Sequence, residues 1–324
     1  MTTDRSLREL AAERGLTVGA MIGPDSLRTE SDHRRVLATE FDAVTPGSPL
    51  KMGPLRPSPD TYDFGDADTI VDFALANDMS VRGHTLVWHQ QQPEWFETWN
   101  HSDERVREFL RDHIYTVAGR YRKKIDTWDV VNEAVADDDS LRETMWYDAM
   151  GEDYIANAFR WADEVTHADL YYNDYGGEAV NEKSDAIYDL LADLLERDVP
   201  IDGVGLQLHA LFDRPDPESI AENIERFQDL GLDVEITEMD VDFYEHDAPD
   251  DPLELQADYY REITEVCLET GCDGMTVAGV NDATSWLRYY ENFPELFIGD
   301  PLLFDDWYEP KPAYEAVVET LDSY

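Results

Sequence analysis

The sequence predicts an α/β protein folded as a single (β/α)8 TIM barrel, on three observations. Short β-type runs alternate with longer amphipathic stretches, which implies parallel strands joined by helices. The alternation repeats about eight times, which favours a closed barrel over an open sheet. The 324 residues contain no Pro/Gly/Ser-rich linker, so one catalytic-sized domain over 1–324 is expected. No repeat of fixed period is present, which sets solenoids and propellers aside.

In chain order, a helical pattern at 6–13 precedes the first strand run, LTVGA at 16–20, and FDAVT at 41–45 supplies the second. A helical pattern at 66–77 leads to SVRGHTLVW at 80–88, and one at 103–121 leads to TWDVVN at 127–132. Helical 153–166 precedes DLYYN at 169–173, and helical 182–196 precedes GVGLQLH at 203–209. Helical 217–230 and 253–269 then precede the runs at 233–239 and 274–280 respectively, or flank them. A barrel places its chemistry at the C-terminal ends of the strands. The polar residues gather there: His84 and His89, Asn132 and Glu133, Asn173 with Tyr175, Gln207 and His209, Glu238 and Asp240, and Trp286.

Composition narrows the function. Hydrophobic residues make up 42% of the chain and aromatics 11%, enough for a sizeable core. The apolar runs are short and interrupted by charge, so none is long enough to span a bilayer. Acidic residues number 73 against 25 basic ones, a formal net charge of −48. Such a surface repels phosphate backbones and anionic membranes, so neither nucleic acid nor membrane is an expected partner. The acidic excess is spread along the chain, and the only lysines are Lys51, Lys123, Lys124, Lys183 and Lys311. This pattern fits a protein of halophilic, haloarchaeal type, in which salt screens the self-repulsion.

Cys267 and Cys272 form no metal cluster and are read as either a small disulfide or buried thiols. MTTDRSLREL at the N-terminus has no apolar signal core, so the expected location is the cytoplasm, or outside the cell for a mature form. Asn100-His101-Ser102 matches a glycosylation sequon by pattern alone. A monomer is expected.

The chemistry centres on two segments. Trp128-Asp129-Val130-Val131-Asn132-Glu133 delivers an amide and a carboxylate to the barrel mouth, and Val234-Glu235-Ile236-Thr237-Glu238-Met239-Asp240 delivers another carboxylate three strands later. Glycoside hydrolysis with retention needs two carboxylates roughly 5–5.5 Å apart, one to protonate the leaving oxygen and one to attack the anomeric carbon. Among 73 acids a lone glutamate is more often a surface charge. Two that each end a near-apolar strand on opposite sides of a barrel are not. Glu133 is therefore read as general acid/base and Glu238 as nucleophile. Asn132 is placed to bind a sugar 2-hydroxyl, and His209 with Asp240 to keep Glu238 ionised and oriented. The alternative for His209 is a satisfied core histidine, which is the commoner case for an isolated histidine.

GHTLVWHQQQPEW at 83–95 combines imidazole, indole and amide groups suited to sugar hydroxyls and pyranose faces. Five residues apart on one strand, His84 and His89 should face opposite sides, which argues against a metal pair. Trp286 and Tyr175 offer further aromatic planes, although about half of the eight tryptophans belong in a core. No phosphate-binding loop, dinucleotide fingerprint or G-x-S-x-G elbow is present.

These segments resemble those of glycoside hydrolase family 10 endo-1,4-β-xylanases at 81–93, 128–134, 170–175, 200–209, 236–241, 285–287 and 301–314, in family order along essentially the whole chain. The resemblance implies endo-acting, retaining hydrolysis of β-1,4-xylosidic bonds in xylan or xylo-oligosaccharides, with no cofactor and no metal. It implies Glu133 and Glu238 as catalytic residues. It puts Lys51, His84, Trp88, Gln91, Asn132, Gln207, His209 and Trp286 in sugar subsites, and Asn173 and Tyr175 toward the leaving group.

Two departures from that pattern fall on the glycone side. The Glu and Asn that usually follow Thr-Pro after the second strand are Gly47 and Ser48 here, and the Trp of a Trp-Gly pair after the eighth strand is Ala278. Each lost polar contact is worth roughly 0.5–1.5 kcal/mol. These departures motivate one alternative, a related retaining β-glycosidase with altered glycone specificity for cello-, mixed or decorated oligosaccharides; a third reading, a carbohydrate-binding barrel that has lost catalysis, has against it that every matched catalytic position keeps its chemistry. The Cys267–Cys272 spacing is also one residue tighter than the family's usual pair, which weakens the case for a disulfide.

Overall fold

The apolar runs form strands β1 (Thr17–Ile22), β2 (Ala43–Pro46), β3 (Ser80–Val87), β4 (Thr127–Asn132), β5 (Asp169–Asp174), β6 (Gly203–Leu206), β7 (Asp233–Val241) and β8 (Gly274–Val277). The computed structural model describes residues 5–99, 101–211, 214–242, 252–289 and 299–324; the sequon position Asn100 lies outside them. Each strand pairs in parallel with the next, β8 pairs with β1, and β6 with β7, so the sheet closes into an eight-strand barrel. Closure removes the unpaired edges that an open sheet would expose.

The helices ring the barrel. Helix α1 (Leu7–Arg14) starts with a capping box in which Ser6 and Glu9 satisfy each other's backbone N–H, and ends at Gly15 in the left-handed conformation. Six helical stretches match expectation: the first, Gly65–Ala76, Asp103–Arg120, Asp153–Asp163, Glu182–Glu196 and Pro217–Asp229, with Pro252–Thr270 as the seventh. Pro24–Thr29, Ser31–Glu40, Met52–Leu55, Met145–Met150 and Pro312–Ser323 were not anticipated. The last packs beside α1, where Arg14 Nε donates to the Leu321 carbonyl at 2.8 Å. Among the described residues no helix is long and apolar enough to cross a membrane.

At the N-terminal rim, aspartates just before a strand accept the backbone N–H of the neighbouring strand. Asp42 Oδ1 takes Val18 N–H at 2.8 Å, Asp126 Oδ2 takes Val81 N–H at 3.0 Å, and Asp202 Oδ2 takes Leu170 N–H at 2.8 Å. This rim stabilises the barrel, whereas the opposite rim carries the site.

Two strands end earlier than their apolar runs suggest. The run at 203–209 stops as regular strand at Leu206 and resumes only as a two-residue pairing, His209–Ala210 against β7. Leu208 sits at φ +59°, outside extended geometry, and its N–H turns to Glu178 Oε1 at 3.0 Å. The run at 274–280 stops at Val277, beyond which Ala278 N–H still bonds the Met239 carbonyl at 2.9 Å. Cys267 and Cys272 are both buried free thiols, and Cys272 Sγ donates to the Val234 carbonyl at 3.1 Å.

Candidate active site

The deepest layer under the barrel mouth is ionic. Arg82 on β3 is buried and donates to Asp129 Oδ1 on β4 at 2.5 Å, with Glu235 of β7 at 3.2 Å and the Tyr171 ring 4.6 Å from its guanidinium. Burial disfavours the Asp129 carboxylate, but Arg82 and His84 outweigh it and hold its pKa below the usual range. Asp129 Oδ2 in turn faces His84 Nδ1 at 2.9 Å, and that imidazole lies 3.9 Å from Glu238 Oε1. None of Arg82, Asp129 or Glu235 stood out in the sequence as part of the site.

Above this layer, β4 and β7 present the two glutamates. Glu133 and Glu238 are 7% and 9% exposed, enough to meet a ligand at the surface but little more. Glu133 adopts φ +57°, an uncommon conformation for a side chain other than glycine, held by its N–H bond to the Asn173 carbonyl at 2.8 Å. A run of amides joins the two carboxylates. Asn132 Nδ2 donates to Glu133 Oε1 at 3.1 Å, and Asn173 Nδ2 reaches both Asn132 Oδ1 and Glu238 Oε1 at 2.9 Å. Gln207 Nε2 approaches Asn132 Oδ1 and Glu133 Oε1, both at 3.2 Å, and Thr237 Oγ1 donates to Asn173 Oδ1 at 2.7 Å. Gly205 makes this possible, because a Cβ there would lie 2.3 Å from Asn173 Oδ1.

The carboxylates also meet side chains from the surrounding loops. Trp88 Nε1 donates to Glu133 Oε2 at 2.7 Å, and His89 Nδ1 stands 3.7 Å from the same oxygen. Burial lowers the His89 pKa against the opposing pull of Glu133. On the other side His209 Nδ1 bonds Asp240 Oδ1 at 2.9 Å while its Nε2 lies 3.8 Å from Glu238 Oε2. Burial works against the His209 cation, but Asp240 and then Glu238 prevail and push its pKa up to about 9. Asp240 is fully buried and takes a second donor, Trp286 Nε1, at 2.7 Å. Lys51 is nearly buried, which lowers its pKa despite Glu238 and Glu133, and its Nζ lies 4.4 Å from the centre of the Trp88 ring.

The expected sugar contacts therefore divide into two groups. Gln91, Trp286, Trp88 and Tyr175 keep exposed or half-exposed surface at the mouth. His84, Asn173 and Gln207 are at most 3% exposed and spend their polar groups on the carboxylates and their neighbours. Asn173, expected toward the leaving group, is fully buried beneath the glutamates and has no surface to offer a sugar. Trp88 differs as well: its N–H is engaged by Glu133 and Lys51 covers one ring face. The expectation that His84 and His89 face opposite sides also fails. β3 ends at Val87 with a register shift against β4 between His84 and Val87, so strand alternation no longer governs His89, and both imidazoles approach the glutamates.

Toward β5, Tyr175 donates to Asp137 Oδ1 at 2.5 Å, receives Arg142 Nη2 at 3.3 Å, and lies under Lys183 Nζ, 3.6 Å from its ring centre. Arg142 also ties down the Glu133 backbone, with Nε donating to its carbonyl at 3.0 Å. Burial raises the Asp174 pKa to about 6 against the pull of Lys183, which is 3.1 Å away. Glu178 Oε1 holds Gly176 and Leu208 N–H, both at 3.0 Å, and so fixes the turns carrying Tyr175 and His209. No local pattern around Glu178 distinguishes it from the other acids of this chain.

The glycosyl hydrolase family 10 profile matches residues 6–320. The chain is 39% identical to endo-1,4-beta-xylanase B of Thermotoga neapolitana, over 98% of this chain and 92% of that one. It is 38% identical to a beta-1,4-xylanase of Dictyoglomus thermophilum, over 97% and 90%. The crystal structure of xylanase 10B from Thermotoga petrophila RKU-1 in complex with xylobiose superposes with a TM-score of 0.94 at 38% identity, covering 100% of this chain and 99% of that one.

Proposed function

The chain belongs to glycosyl hydrolase family 10, and on that premise we propose that it hydrolyses β-1,4-xylosidic bonds in xylan or xylo-oligosaccharides by endo-acting, retaining double displacement. The observation that carries the reading is the hydrogen-bonded line Glu133–Asn132–Asn173–Glu238, which links two carboxylates across the barrel mouth.

In the first step Glu133 gives its proton to the glycosidic oxygen while Glu238 attacks the anomeric carbon, and the leaving sugar departs. The resulting glycosyl ester on Glu238 is then hydrolysed by water, which passes its proton to Glu133, restoring both residues and the original anomeric configuration. His209 Nε2 lies 3.8 Å from Glu238 Oε2 and His84 Nδ1 3.9 Å from Oε1, so an imidazole flanks each oxygen of the nucleophile. Trp88 N–H and Gln207 hold the acid carboxyl in place, and Asn173 holds the nucleophile. Lys51, Gln91, Trp286 and Tyr175 line the mouth and are assigned to the substrate.

A second reading, altered glycone preference within the same chemistry, rests on one contact. A Cβ at Gly47 would lie 3.0 Å from Met21 Cγ, so Met21 occupies space beside the position where the family pattern carries Glu. The excess of acidic over basic residues supports a halophilic setting for the enzyme.

Replacing the nucleophile tests the reading. Glu238→Ala should abolish turnover of an aryl β-xylobioside in molar salt, and added azide should restore it with an α-glycosyl azide as product. Full activity in that variant would end the assignment.

A further inference from the structure

Away from the glutamates but on the same rim, a cavity of about 260 Å³ opens at the end of β1, lined by Met21, Pro24, Asp25, Ser26, His33 and Thr284 among others. Strand β1 lies between β2 and β8 in the barrel. Those are the two strands after which the departures Gly47 and Ala278 occur. Gly47 is fastened to β1 by its N–H bond to the Ile22 carbonyl at 2.9 Å, and Met21 separates it from the cavity.

The polar equipment of the cavity selects a ligand class. His33 is 2% exposed and lines it, and its Nε2 has no hydrogen-bond partner among the described residues. Tyr308 hydroxyl donates to Glu30 Oε2 at 2.6 Å, so it accepts from His33 Nδ1 at 3.3 Å. The ring proton is thereby placed on Nδ1, and Nε2 is left as a lone-pair acceptor. Burial lowers the His33 pKa to about 4, so the ring is neutral near pH 7 and keeps that acceptor. Asp25 at the cavity edge, whose exposed side chain stands 3.7 Å from Arg28 Nη1, offers further acceptor oxygens. Met21 and Pro24 provide apolar surface suited to the C–H face of a ring. A buried acceptor without a partner calls for a neutral hydroxyl donor. The volume falls below the roughly 300–1,000 Å³ of sites that take drug-sized ligands, so one ring fits and not two.

We propose that this cavity is a subsite for a single neutral sugar unit of the glycone, either a pentosyl branch or a distal backbone residue. The proposal rests on the reading of the neighbouring cleft as xylan-hydrolysing.

The test compares Ser26→Trp, which fills the cavity from its rim, and His33→Leu with the parent enzyme in molar salt. The substrates are an aryl β-xylobioside, a linear xylohexaose, and oligosaccharides of equal backbone bearing a pentosyl or a uronosyl branch. Both variants should retain turnover of the aryl xylobioside and lose roughly three- to tenfold in kcat/KM on the substrate that reaches the cavity. Loss on the pentosyl-branched substrate alone assigns a branch site, and loss on xylohexaose assigns a distal backbone site. His33→Gln, which restores an acceptor, should recover most of the loss. Equal kcat/KM on all four substrates, or a loss confined to the uronosyl substrate, overturns the proposal. Calorimetric titration of the same oligosaccharides into Glu238→Ala with and without Ser26→Trp reads the cavity by binding. The two hypotheses therefore fail separately: a parent inactive on the aryl xylobioside rejects the xylan-hydrolysing reading, while unchanged binding after Ser26→Trp rejects the subsite.

Discussion

Asp240→Asn is the perturbation whose size follows most directly from the geometry. Asp240 is fully buried, 2.9 Å from His209 Nδ1, and is the strongest of the charges that overcome burial and lift the His209 pKa to about 9. Asparagine keeps the shape and one acceptor but removes the charge, so burial then draws the imidazole back to or below its ordinary 6.5. His209 titrates higher folded than unfolded. Its proton therefore stabilises the fold fully below about pH 6.5, and that stabilisation is lost as pH rises through about 9. At about 1.36 kcal/mol per unit, the rise from 6.5 to about 9 makes about 3 kcal/mol below pH 6.5 and about 2 kcal/mol at pH 7.5. Chemical denaturation of the parent and Asp240→Asn at pH 6 and pH 10, in the same molar salt, should show a gap of about 3 kcal/mol at the lower pH and little at the higher. A gap of the same size at both values would refute the argument, because loss of packing or of a neutral hydrogen bond does not titrate. The activity readout should follow: with His209 neutral, Glu238 loses its cationic neighbour, and kcat should fall around pH 8, where the parent still holds the proton.

Trp88→Phe removes the N–H bond to Glu133 at 2.7 Å and keeps the ring beneath Lys51. A hydrogen bond to a charged group is worth about 1.5–3 kcal/mol, so kcat/KM on an aryl xylobioside should drop roughly ten- to hundredfold, and an unchanged value would remove Trp88 from the machinery. Gly47→Glu should lower the thermal midpoint because its Cβ crowds Met21, and Met21→Ala in the same chain should recover it; a stability loss that survives the double substitution would point elsewhere. With a formal charge of −48, the thermal midpoint should fall when salt is reduced from molar to about 0.05 M, where the Debye length exceeds 10 Å. A midpoint that rises on desalting would dismiss the halophilic reading.

Some of this site was legible in the chain alone. Glu133 and Glu238 could be found because each ends an apolar strand run, and strand order places β4 and β7 on facing parts of a closed barrel. His209 and Asp240 were legible as neighbours in the same way, since residues at strand ends share one rim. The roles of Trp88 and Asn173 were not legible. Side-chain identity shows that an indole or an amide can meet a sugar, but not that a carboxylate has already claimed its N–H.

By itself the sequence determined the barrel, the rim that carries polar side chains and the two carboxylates proposed to react, because hydrophobic period and residue type are local properties. Only the tertiary structure decided which groups support those carboxylates. Arg82, Asp129 and Glu235 come from three strands, Glu178 reaches Leu208 from another loop, and His33 meets Tyr308 across most of the chain length. Such contacts depend on how the closed sheet staggers its strands and where each loop folds back. No window of neighbouring residues encodes that.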